Sequence, residues 1–124
     1  MSRPEFAFDD VFQKAADPAF VLDPLEDRFV AANVAGCALL GYQLDELLET
    51  PISRIHPGEL PQLQEFVAGV LRTGHGSTIT LTCRTSSGAF LPTEMSLSVV
   101  DGGDRVYLLG LVVDRSEHRK RLAD

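Results

Sequence analysis

The sequence predicts an α+β domain: a five-stranded antiparallel sheet, helices across one face, and an N-terminal flanking helix. Three observations predict it. Two short apolar runs joined by a tight polar turn come first, one long amphipathic stretch stands in the middle, and three segments of strand period close the chain. With strands on both sides of a helical stretch, the helices must cross one face of the sheet. The space between sheet and helices is a natural pocket.

The elements follow in order. Residues 6–16 place Phe8, Val11, Phe12 and Ala15 on one helical stripe, and Asp17-Pro18 stops it because the residue before proline disfavours the helical region. Ala19 to Asp23 is a short apolar strand, Pro24 to Asp27 a polar turn, and Arg28 to Ala32 a second strand. Asn33 can cap a helix over Val34 to Leu40, which ends at Gly41, and Gln43 to Glu49 adds another turn or two. Ser53 to Pro57 reads as irregular. Residues 59–73 carry Leu60, Leu63, Val67, Val70 and Leu71 at helical spacing, and Gly74 and Gly76 end that helix. Thr78 to Arg84 alternates, with Ile79, Leu81 and Cys83 on one side. Residues 90–100 alternate as well, with Thr93, Met95, Leu97 and Val99 together. Asp101 to Asp104 is a turn, and Val106 to Val113 is apolar at both parities, as in a central strand covered on both faces.

The chain has 124 residues, enough for one domain with its own core. Its net charge of -7 argues against a direct nucleic-acid binder, which would present a basic face. The charge is uneven. Residues 115–124 hold four basic and two acidic side chains, net +2, so the preceding body carries -9. Cys37 and Cys83 stand far apart with no dense Cys/His cluster, which speaks against a zinc site or a disulfide scaffold. No apolar run approaches a membrane span, and no apolar signal region opens the chain, so a reducing, cytoplasmic setting is expected.

Five local motifs give the order a family likeness. They are Asn33-Val34-Ala35-Gly36; Leu39-Leu40-Gly41-Tyr42 followed by Leu44-Asp45-Glu46-Leu47; Ile55-His56-Pro57-Gly58-Glu59; Ser87-Gly88 to Pro92-Thr93-Glu94; and Val113-Asp114-Arg115-Ser116-Glu117. Together they resemble the PAS sensory domain from about Ala19 to Asp114. The resemblance implies a flanking helix over 1–17, a sensory domain over 18–114 and the start of a signalling linker helix over 115–124. It further implies a signal-input module of a larger protein, such as a sensor histidine kinase, a diguanylate cyclase or a transcriptional regulator. Such a module binds a small apolar ligand or cofactor and passes a conformational change through its C-terminal helix. The alternative is a ligand-free dimerisation module with a filled core. A homodimer is expected through the N-terminal stripe and the outer sheet face of Tyr107, Leu109 and Leu111, with an output domain covalently attached.

Strand parity and the resemblance together give the expected pocket lining: Cys37, Leu40, Leu63, Val67, Ile79, Leu81, Met95, Leu97, Leu108, Gly110 and Val112. The cofactor itself stays open. The blue-light flavin subfamily's G-x-N-C-R-F-L-Q segment has no counterpart around 52–59, and the long helix lacks the histidine that family haem sensors use, its position falling near Leu63. His56 reads as a structural histidine, His75 as a solvated loop residue, and His118 as part of a helix face in the tail. No metal site and no catalytic motif is present, so no enzyme is expected.

Overall fold

The computed structural model describes residues 9–116. The elements are α1 (Asp9–Lys14), β1 (Ala19–Asp23), β2 (Arg28–Ala32), α2 (Val34–Leu40), α3 (Leu44–Leu48), α4 (Ile52–Ile55), α5 (Leu60–Thr73), β3 (His75–Thr78), β4 (Thr82–Arg84), β5 (Phe90–Asp101) and β6 (Val106–Asp114). The sheet order is β2-β1-β6-β5-β3, with β4 also pairing β5, and every pairing is antiparallel. The α+β architecture is as expected.

Asn33 joins the first hairpin to the first helix after it. Its side-chain oxygen accepts the Gly36 N–H at 2.8 Å and the Ala19 N–H at 3.0 Å, while its amide donates to the Asp17 carbonyl at 2.9 Å. One buried side chain thus caps α2 and fixes the start of β1. Gly41 ends α2 at φ +80°, a conformation that any Cβ would strain. Its carbonyl accepts the Ser86 hydroxyl at 2.6 Å, tying α2 to the β4–β5 turn.

Ser53 to Pro57, expected to be irregular, begins inside α4, whose first residue is Ile52. Four residues are too few to show a period, and tertiary contacts form this turn. Asp27, in the β1–β2 turn, accepts the Ser53 N–H at 3.0 Å and the Ser53 hydroxyl at 2.7 Å, and its own carbonyl accepts the Ile52 N–H. Ile52 and Ile55 fall on one face and are buried.

The expected single strand over Thr78 to Arg84 is broken. Thr78 lies opposite Met95 and Thr82 opposite Pro92, so four steps on one side meet three on the other. The extra residue makes a bulge and shifts the inward parity. Gly76 and Thr78 face Leu97 and Met95 before it, Leu81 and Cys83 are buried after it, and Ile79 falls in the break at 58% exposed. The inward placement of Ile79 is therefore corrected. Thr93, itself fully buried, donates its hydroxyl to the Leu81 carbonyl at 2.9 Å and satisfies an acceptor freed by the break.

β6 is central, as expected, but its outer face is only partly covered. Leu111 and Val113 are exposed and Leu109 is half-buried. Tyr107, expected on that open face, is buried because its ring lies against Gly102 of the β5–β6 turn, where a Cβ would collide with it. Phe12 is half-buried, while the side chains of Phe8 and Val11 lie outside the described residues, as does the tail from residue 117.

Candidate functional site

α5 carries two apolar stripes. Phe66 and Val70 lean on Gly76 of β3 and seat the helix on the sheet edge. Leu60, Leu63, Gln64, Val67, Ala68 and Leu71 recur at helical spacing and face a cleft of about 530 Å³. Leu22 of β1 and Met95, Leu97 and Leu108 of β5 and β6 form the sheet wall, while Ile52, Ser53 and His56 close the α4 end beside Pro24 and Asp27. Leu60 and Leu71 remain 42% and 45% exposed, because this stripe borders open space where a packed helix would bury it.

Five of the expected pocket residues line this cleft: Leu63, Val67, Met95, Leu97 and Leu108. Leu40, Gly110 and Val112 instead border a void of about 30 Å³ deeper in the core, too small for any ligand beyond a water. Leu22, Ile52, His56, Met95 and Leu97 border both spaces. Leu81 is buried and borders neither, Cys37 is half-buried against the core, and Ile79 is outside. The polar lining of Asp27, Ser53, His56 and Gln64 was not among the expected residues. The Ile-His-Pro motif placed His56 near this region, but only the path of the loop into α5 shows which ring atom is used.

His56 is 4% exposed. Its Nδ1 lies 2.6 Å from the Thr82 carbonyl oxygen. A carbonyl can only accept, so Nδ1 carries the hydrogen. Glu59 completes the clamp: its carboxylate accepts the Thr82 N–H at 3.1 and 3.2 Å and the Thr82 hydroxyl at 3.1 Å. Opposite Thr82, the Pro92 carbonyl accepts the Arg115 N–H on the β6 side. Thr82 therefore turns its own backbone groups away from β5, and side chains from the α4–α5 loop complete this free strand edge.

Burial pushes the His56 imidazole below its ordinary range, outweighing the bond to Thr82 and the attraction of Glu59. The ring is neutral at neutral pH, and its 3.6 Å approach to Glu59 is a polar contact rather than an ion pair. Burial also raises both thiols, Cys83 to about 12. Among the described residues, no three His, Cys, Asp or Glu side chains come together as a metal site, and no helix is long and apolar enough to cross a membrane.

Comparison with known proteins agrees with this geometry. The family profile described as "PAS domain" matches residues 17–117. Among solved structures, the chain is similar to the PAS domain of a protein from Colwellia psychrerythraea, at 20% identity and TM-score 0.75, over 87% of this chain and 93% of that one. It is similar to a PAS domain from a two-component sensor histidine kinase, at 19% identity and TM-score 0.73, over 85% and 90%. It is also similar to an RNA-binding light-oxygen-voltage receptor, at 21% identity and TM-score 0.76, over 98% of this chain and 39% of that one. No curated protein matches the sequence. A five-position antiparallel sheet, short helices and one long helix over its face, and a profile match spanning most of the length lead to one assignment: the chain belongs to the PAS domain family.

Proposed function

We propose that this domain is the signal-input module of a larger signalling protein, and that it takes a small, mainly apolar ligand in the cleft beneath α5. One observation carries this reading: the Leu60–Val67–Leu71 stripe of α5 faces about 530 Å³ of space across from Leu97 and Leu108. A helix that served only packing would bury that stripe against a neighbour. The volume falls in the usual range for small-molecule sites, and the mostly apolar lining suits burial of a hydrocarbon or aromatic body.

The outlet lies on the same strand. Leu108 borders the cleft and Asp114 ends β6, where its carboxylate accepts the Ser116 N–H at 2.8 Å and hydroxyl at 2.6 Å. A ligand that favours one seating of α5 on the sheet would bias the chain leaving β6, by as much as its affinities for the two seatings differ. The flanking segments over 1–17 and 115–124 act in this reading as connectors to the rest of a parent chain. The exposed Leu111 and Val113 suit a second copy of the domain against the outer sheet face.

The test is titration with the apolar dye N-phenyl-1-naphthylamine. Fluorescence enhancement in the wild type, abolished in Ala68→Trp with the melting temperature kept, is expected. Absence of binding, or binding that Ala68→Trp leaves unchanged, would overturn the cleft as the ligand site.

A further inference from the structure

His56 has one structural nitrogen and one that the fold does not use. Nδ1 is committed to the Thr82 carbonyl, so Nε2 carries the lone pair. Nε2 makes no hydrogen bond among the described residues. Yet no buried side-chain nitrogen or oxygen there is left without a partner, so Nε2 is not sealed in the core. The ring lines both the cleft and the small core void, and the cleft is by far the larger of the two.

We infer that His56 Nε2 is the polar anchor of the cleft, and that the ligand is an apolar molecule bearing one hydrogen-bond donor, a hydroxyl or an N–H. This rests on the cleft being the ligand site. The Thr82 bond fixes the tautomer and the ring plane, as a supporting hydrogen bond does in a preorganised site. The ring's depressed basicity keeps Nε2 an acceptor at neutral pH. A neutral acceptor in an apolar wall selects a donor and disfavours both a purely hydrocarbon body and a carboxylate. A carboxylate would meet a lone pair at Nε2, with Asp27 in the same lining and Glu59 3.6 Å from Nδ1. Leaving a buried acceptor unpaired carries a penalty, so a ligand that lacks the donor loses affinity.

The experiment compares 4-phenylphenol with 4-methylbiphenyl, of nearly equal shape, by displacement of N-phenyl-1-naphthylamine. In the wild type the phenol should bind about tenfold tighter, the size of one net hydrogen bond. His56→Asn places an amide N–H where Nδ1 donates and removes the acceptor facing the cleft. In that variant the preference should fall to about unity. Should His56→Asn fail to fold, ¹⁵N-histidine spectra of the wild type replace it: the unprotonated Nε2 signal should move upfield with the phenol and stay put with the methyl compound. Equal displacement by the two compounds, or an unmoved Nε2 signal, would overturn the anchor while leaving the cleft as a ligand site. A dye that never binds overturns the cleft reading instead, and the anchor with it.

Discussion

Arg105 Nη1 donates to Asp23 Oδ2 at 2.7 Å, joining the β5–β6 turn to the end of β1 across 82 positions of sequence. Asp23 is almost wholly buried, and its other oxygen accepts the N–H groups of Leu25 and Glu26 at 3.1 and 3.2 Å. The carboxylate therefore shapes the β1–β2 turn and fastens two loops at once. Arg105→Met should lower the urea midpoint by stranding the carboxylate, and Asp23→Ala should lower it further by also releasing the two turn N–H groups. The double variant should resemble Asp23→Ala alone, because the partners act as one unit.

Asn33→Ala should cost about 2–4 kcal/mol, since it removes a helix cap and leaves buried groups of β1 and the preceding loop unpaired. Chemical denaturation checks it: the midpoint should fall with the slope unchanged.

The break between β3 and β4 predicts opposite outcomes for two aliphatic positions two residues apart. Ile79→Ser should change stability by less than about 0.5 kcal/mol, as for an ordinary surface site. Leu81→Ala should cost about 2–5 kcal/mol, as for a filled core site. Equal costs would mean that the strand runs on without the bulge.

Stability should depend on pH through His56. Its folded pKa is below the ordinary 6.5, so between the two values the unfolded chain binds a proton that the folded chain refuses. The domain should lose stability as pH falls below 6.5, and His56→Asn should flatten that limb of the melting-temperature profile.

At the alkaline end Cys83 sets the sign. Its thiol is raised from 9.0 to about 12 by burial, so the unfolded chain ionises first and stability falls as pH rises through that window. The native Cys83 thiol should also resist 5,5′-dithiobis(2-nitrobenzoate) and react only on unfolding, a difference that thiol counting with and without denaturant reads directly.

Much of the fold was legible because its signals are local. Asn33 before an apolar helical run, Gly41 after it, the alternation of Thr93 to Val99, and the spacing of Leu60 to Leu71 each state their own structure. The bulge was not legible, because Thr78 to Arg84 alternates without fault and only pairing with β5 reveals the extra residue. α4 was hidden for the same reason, since Asp27 holds it from 26 positions away. Of the sheet wall, parity places Met95, Leu97 and Leu108 correctly and misses Leu22. The His56 nitrogen pair does not follow from parity: its use depends on Pro92 facing β6 and leaving the Thr82 carbonyl for a side chain.

Leu22, Ile52, His56, Met95 and Leu97 each border both the cleft and the small void of the core. They form a septum between the two spaces. The vacancy on its far side is only about 30 Å³, which leaves little room for side chains pressed from the near side in an otherwise close-packed core. Those side chains are rooted in β1, in α4 and the turn that follows it, and in β5. The floor of the cleft is thus a drumhead stretched over a frame of β1, α4 and β5, and β5 is the side of that frame that pairs along its length with β6.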